Sequence, residues 1–498
     1  LSQGGRSPSA LAEELTFRMA RPHHPTLWLL PLLLLAACAT ATERTSRDAF
    51  DELSRERRDA PEVELDGSYQ AYVRYAMAHS PELRGDFERF RAATLAVRPA
   101  RTLPDPMVSY GVFLRTPETR VGPQRQRVSL QQMIPWPTRL THAANAAAHA
   151  ADSAERRFDA RAVEIRRRVA EAYWNLWFVH QAKVVEREER EILSGLEQTL
   201  RARVEVGQAD FAQLSQIGLH ISRLDDSIAG LDETERELSA HLLAAVGAPG
   251  AEHAPMSDNE PMVAPPAQSL ASLLAAAAEH PRARAMLAMA DAAEERSQAE
   301  NARHFPSFTI GLAWVETGPA RMPDVADSGK DPVMIGVGVT VPIWLGSYRD
   351  REAGALAEAS ASRADADAIT LAVQSEVRAS LAALHDSARR VRLYRLTLIP
   401  QARTTYESVL GSYQAGRAGI ADILLADKDL LELSLAHARS RADHAIAWAA
   451  LEAATGRPIE ARAPAEEAPA VAVTPPADAH AATIPPTRAS EPGSDSHE

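Results

Sequence analysis

Cysteine occurs once in this 498-residue chain, aromatic side chains make up only 5% of it, and no apolar run is long enough to cross a bilayer. A lone cysteine excludes an intramolecular disulfide and a thiolate metal cage. Scarce aromatics with abundant alanine disfavour a compact aromatic core and favour long helices. The only sizeable apolar run, Leu27 to Ala37, has eleven residues, about half of the ~20 that a membrane-spanning helix needs. Enzyme signatures are missing too: there is no HExxH, no phosphate-binding glycine loop and no nucleophile elbow, and "GVGV" at Gly336 lies inside a strand-like segment. No catalytic residue, cofactor or metal site is therefore expected, and Met286 and Met289 read as packing residues. Acids outnumber Lys and Arg, 67 to 54, for a net charge of −13, which disfavours nucleic acid as a partner because phosphate binding needs clustered cations.

What is present begins with that short apolar run. Arg21 precedes it and small residues close it, the order of a secretory signal, so Met19 reads as the start and residues 1–37 as a signal peptide with an upstream extension. Its close, Leu35-Ala36-Ala37-Cys38, resembles the lipobox of bacterial lipoproteins. That resemblance implies a mature chain beginning at a lipidated Cys38 and exported across the inner membrane. With alanine rather than aspartate at position 39, it further implies sorting to the outer membrane. Residues 38–66 read as a charged, lipid-anchored tether, 250–268 as a linker and 459–498 as a disordered acidic Pro/Ala tail.

The chain between is written twice. Pro81 and Pro281, Pro135 and Pro342, Gly207 and Gly416, and Gly247 and Gly456 recur in one order at slowly drifting offsets. Residues 67–249 and 269–458 thus read as two copies of one unit, far longer than solenoid repeats. Each copy holds two alternating segments: "PMVSYGVFLR" and "RVSLQQMI" in the first, "PSFTIGLAW" and "PVMIGVGVTVPIW" in the second. Segments of about ten residues with one apolar and one small or polar face are the pattern of transmembrane β-strands, and also of half-buried soluble hairpins. What separates the two readings is the sequence that follows. Thr138 to about Val206 and Ser347 to about Gln414 are almost free of helix breakers, and at ~1.5 Å per residue they predict helices on the order of 100 Å long. Past Gly207 and Gly416 the chain must return antiparallel, with apolar spacings of three and four suited to coiled-coil packing.

Helix, two strands, long helix and return helix, done twice, resembles the outer-membrane efflux protein family typified by TolC. The resemblance rests on the junctions "IPWP" and "VPIW", the tips "VGQADFAQLSQ" and "AGRAGIADILLAD", and the closing "GAP" and "GRP"; "ETRVGPQRQRVSL" further resembles the heavy-metal efflux subgroup. It implies a mixed α and transmembrane β fold, in which each protomer gives four strands to a trimeric twelve-stranded β-barrel continued by a helical periplasmic tunnel. The implied function is the passive exit duct of a tripartite efflux system. Its partners would be two further copies of itself, a periplasmic adaptor (membrane fusion protein), an inner-membrane pump of the resistance-nodulation-division type and outer-membrane lipid. A coiled-coil adaptor or a lipid-anchored structural protein is the rival reading. Trp136 and Trp344 would lie at the membrane interface, or else in an ordinary core. Gly207 and Gly416 would free the backbone for tip turns that contact the adaptor. Asp422 would contribute to a ring of charge at the periplasmic gate, or else be a solvated helix acid. Gln213 holds the matching position of the first copy, Leu425 stands where the family often repeats the acid, and Asp427 or Asp210 would compensate.

Overall fold

The computed structural model describes residues 40–59, 63–248, 253–257 and 259–462. The expected signal, Cys38 and nearly all of the expected tail lie outside the described residues. The first half runs α1 (Ala41–Arg58), α2 (Tyr69–His79), α3 (Pro81–Arg101), β1 (Met107–Val112), β2 (Glu118–Thr119), β3 (Gly122–Ile134), α4 (Pro137–Glu205) and α5 (Phe211–Val246). The second runs α6 (Leu270–Ala278), α7 (Pro281–Asn301), β4 (Ser307–Thr317), β5 (Val333–Thr340), α8 (Leu345–Leu393), α9 (Ile399–Gln414) and α10 (Ile420–Thr455).

Local chemistry sets these boundaries. Ser68, Ser80 and Ser269 accept backbone N–H bonds as N-caps, and Pro81, Pro137 and Pro281 open helices whose first N–H groups have no partner in any case. Helix α4 then runs unbroken for 69 residues, roughly 100 Å at ~1.5 Å per residue. In the second half the long helix passes through a π-turn at Tyr394–Leu398 before continuing as α9. Pro400 follows directly, and the wider turn accommodates a ring that a regular helix would force against the preceding carbonyl. Buried positions on α8 recur at sevens, Ala359, Ala366 and Val373, then Val377, Leu384 and Val391. That period keeps one seam of a long helix facing its neighbours. Among the described residues no helix is long and apolar enough to cross a membrane.

Two of the matched sequence landmarks touch. Gly247 and Gly456 end α5 and α10 in the left-handed conformation, at φ 81° and 71°. A Cβ on Gly456 would stand 2.8 Å from Pro281 Cδ, and one on Gly247 3.1 Å from Pro81 Cδ. Each half therefore closes by seating the end of its return helix on the proline that opens its second short helix, an approach only glycine permits.

The largest core lies where α2, α4 and α5 meet α10 of the other half, around Tyr72, Tyr173, Trp174, Trp177 and Leu242. Its counterpart under α6, α8 and α10 is aliphatic, built on Leu273, Val373, Val377 and Leu451. The few aromatics of the chain are concentrated on one side of the duplication, where the interdomain segment also docks: Tyr72 Oη donates to the Pro255 carbonyl (2.8 Å) and Ser257 N–H to Gly67 (3.1 Å).

One expectation is corrected. Part of the segment 38–66, read as a charged tether, is the 18-residue helix α1, packed against the first half. Glu43 is fully buried and paired with Arg47 (2.8 Å) and Arg101 (2.9 Å), while Phe50 stacks on Phe87 at 5.4 Å. Charge density suggested solvation, but ion pairing and one phenyl ring hold the helix down. Likewise Ile459, assigned to the tail, is buried, and Ala461 bridges to Pro266.

Candidate functional site

The sheet and the far ends of the long helices are the two places where the fold exposes something to be used. The strands pair antiparallel in the order β1-β3-β4-β5, with β2 a short offshoot of β3. Their register aligns side chains in rows. Val108, Leu130, Leu312 and Ile335 form one row, and Tyr110, Val128, Trp314 and Val333 the next. Between them run Ser109, Ser129, Ala313 and Met334, and on the other side of the first row Met107, Gln131, Gly311 and Gly336. Successive residues point to opposite faces, so one face is a continuous apolar sheet and the other is mainly small or polar, with Arg127 joining it and Met107 and Met334 on its outer strands. The apolar face is open: Val108 is 68%, Ile335 76% and Val337 70% exposed. Strands of 13 and 11 residues for β3 and β4 have the ~9–11 residues needed to span a hydrocarbon layer. Among the described residues, β1 pairs only with β3 and β5 only with β4, so both outer edges are unpaired.

The tryptophans at the strand-to-helix junctions differ. Trp136 is half-buried and stacks on Phe305 at 4.9 Å and 17°, whereas Trp344 is 71% exposed beside exposed Ile343. Cys38 lies outside the described residues, but Thr40 caps α1 two residues on. The ion pair of Glu43 with Arg101 sets this end of α1 beside the end of α3 that leads into β1.

At the opposite end, Gly207 and Gly416 adopt φ values of 73° and 71°. In both tips the glycine N–H bonds three residues back and the next N–H bonds five back, Gln208 to Arg203 (2.8 Å) and Arg417 to Ser412 (2.9 Å). This is the Schellman closure of a helix. No heavy atom lies within 4 Å of where a Cβ would stand at either glycine, so glycine is required there by conformation rather than by space. The returning helices are capped in two ways. Asp210 is the N-cap of α5 and accepts the Ala212 N–H at 3.1 Å. In α10 the N-cap is Gly419, and Asp422, three residues on, reaches back to accept its N–H at 2.8 Å. An acid thus sits at the positive end of each return helix, at the N-cap in one and three residues further on in the other, so that half-buried Gln213 stands where the second half has exposed Asp422.

Asp427 does not face the open side of α10. It is 2% exposed and packs toward Glu189 of α4, which removes it as a substitute in any exposed ring of acids. Leu425 is 62% exposed. Glu189 itself was not singled out from sequence, because "EREEREIL" reads as a solvated charge run. A signal was available: Glu186 and Glu189 occupy the buried stripe that continues through Leu193 and Leu200. Just beyond, Leu200, Ile217, Ile420 and Ile423 form a small core joining α4, α5 and α10, with Tyr406, Leu410 and Tyr413 of α9 against it, so both tips of one chain are held together.

Comparison with known proteins accords with this geometry. The outer membrane efflux protein family is matched over residues 273–457, most of the second half. A search of curated protein sequences finds no match. Among solved structures, the outer membrane protein VceC of Vibrio cholerae superposes with a TM-score of 0.63 at 18% identity, covering 79% of this chain and 97% of its own. CusC, whose structures concern folding and transmembrane channel formation, gives 0.65 at 15% identity, with 79% and 93% covered. The open state of the MtrE outer membrane channel of Neisseria gonorrhoeae gives 0.61 at 17% identity, with 78% and 89% covered. The fold is that of these outer-membrane channels: a small antiparallel sheet continued by long helices.

Proposed function

We propose that this chain, whose residues 273–457 carry the outer membrane efflux protein signature, is the outer-membrane exit duct of a tripartite efflux system and conducts solutes passively. One observation supports this above the others: a four-stranded sheet with an open apolar face and two unpaired edges. Unpaired backbone edges are not tolerated in hydrocarbon, and three copies joined β5 to β1 would close twelve strands with no edge left. The small and polar rows then line the lumen, and the helices continue it into the periplasm as a tunnel. Energy comes from an inner-membrane pump of the resistance-nodulation-division type through an adaptor that contacts the tips at Gly207 and Gly416. Native mass spectrometry and planar-bilayer recording of the detergent-extracted protein test the reading together. A trimer with steady conductance is the expected result; a monomer without conductance overturns it.

Cys38 is proposed as the lipid attachment point, on the strength of its lipobox-like sequence and of the placement of the start of α1 beside the end of α3 that leads into β1. Mass spectrometry of the mature amino terminus is expected to show a diacylglycerol-modified cysteine. Because the barrel supplies the main insertion, Cys38→Ser is expected to leave part of the protein in the outer membrane.

Asp422 is proposed to contribute to the charge of the periplasmic entrance. Its role as a cap dictates the variant: alanine would also remove the bond to Gly419, at a cost of about 1 kcal/mol, whereas asparagine keeps an acceptor. Asp422→Asn is expected to reduce cation-over-anion selectivity in bilayers about twofold, the scale of removing one exposed charge per chain from a screened ring. Unchanged selectivity assigns Asp422 to capping alone.

A further inference from the structure

Above the tips, each of the four packed helices contributes one titratable side chain to a common layer: Glu189 from α4, His220 from α5, Tyr406 from α9 and Asp427 from α10. Glu189 is 9% and Asp427 2% exposed. The two carboxyls are within hydrogen-bonding reach of each other, yet Glu189 Oε1 and Asp427 Oδ2 are buried with no donor. Among the described residues neither acid takes part in an ion pair: the neighbouring cations Arg190 and Lys428 are engaged elsewhere, by Asp225 and Glu432. Nor do three His, Cys, Asp or Glu side chains converge there as a metal cage. Two facing carboxylates repel, and a carboxylic acid facing a carboxylate forms a short, strong hydrogen bond.

We propose that Glu189 and Asp427 form a proton-binding site that couples the packing of the two hairpins to pH: one shared proton holds α4 against α10, and its loss drives them apart. Asp427 lies about three turns from its tip glycine, Gly416, and Glu189 about five from Gly207, on the order of 16 and 27 Å at ~1.5 Å per residue, so a small separation there is a larger one at the ends. Burial raises both acids, and the proximity of Asp427 raises Glu189 further, to about 8. The hydrogen bond with Glu189, and after it His220, pull Asp427 the other way. Tyr406 is itself pushed up by burial and by both acids, and stays neutral. A raised folded-state value means that the stabilisation is complete below the ordinary carboxylate range and is lost as pH rises toward about 8.

The site rests on packing within one chain. It deepens the duct reading by naming what would loosen the periplasmic end, and its test reads packing rather than conduction, so the two can fail separately. Hydrogen–deuterium exchange of the full-length protein in detergent, corrected for intrinsic rates, reports opening of the segments around Glu189 and Asp427. Between about pH 6 and 8 the wild type is expected to lose protection by up to about tenfold per pH unit. Glu189→Gln, whose amide donates to Asp427 without titrating, is expected to change less than about twofold over the same range, and Asp427→Asn supplies a second variant on the facing helix. Infrared difference spectra near pH 6 are expected to show a protonated-carboxyl band that Glu189→Gln removes. The same pH dependence in wild type and both variants, or absence of that band, overturns the proposal.

Discussion

Alanine at position 177 is expected to destabilise the protein by about 3–5 kcal/mol, the range for deleting a large aromatic from a core that cannot collapse. Trp177 is fully buried where α4 meets α10, so it ties the first half to the second. Trp174 meets it edge-on at 6.0 Å, and the guanidinium of Arg441 lies over its ring at 5.4 Å while pairing with Glu260 at 2.5 Å. Its indole N–H is buried with no acceptor among the described residues, so the ring contributes through packing and its face rather than through a hydrogen bond. Trp177→Phe keeps an aromatic face under Arg441 and removes that unpaired donor, and is expected to cost less than about 1.5 kcal/mol. Denaturant titration of the detergent-extracted protein, followed by far-ultraviolet circular dichroism, measures both. Equal losses in the two variants would mean that the nitrogen matters after all.

Arginine at position 335 is expected to be the most damaging single change in the sheet. Ile335 sits in the apolar row with Val108, Leu130 and Leu312 and is 76% exposed. In water this exposure makes arginine the tolerated residue, whereas against hydrocarbon near the bilayer centre it costs about 2–4 kcal/mol. Met334, its chain neighbour, points to the opposite face, in the row with Ser109, Ser129 and Ala313. Met334→Arg is therefore expected to leave assembly nearly intact. Outer-membrane fractionation with a heat-stability assay of the oligomer separates the two. Ile335→Arg should sharply reduce the membrane-inserted, heat-resistant form. Equal tolerance of both substitutions would place the sheet in water and remove the barrel reading.

Both predictions use features of unequal legibility in the sequence. The alternation of Val333, Ile335, Val337 and Val339 with small residues is a local pattern, and a strand displays its faces whatever it packs against. The same holds for the breaker-free stretches that become α4 and α8, and for Gly207 and Gly416, whose positive φ is a requirement of the backbone alone. The duplication was legible as well, because each of its landmarks is a proline or glycine whose meaning is conformational. What the landmarks do was not: Gly456 against Pro281 and Gly247 against Pro81 are contacts between residues 175 and 166 positions apart, and no periodicity records them. Charge misled in the same way. Residues 41–58 and the run around Glu189 look solvated by composition, yet Glu43 and Glu189 are buried because another element supplies Arg101 in one case and an acid in the other. A carboxylate's place depends on the charges brought to it, and those come from distant chain. The long helices, their order and the face each strand presents are local properties of the sequence, whereas helix α1, the acids exposed at the tips and those that share a buried layer follow from packing, since only packing sets the partners that make burial of a charge possible.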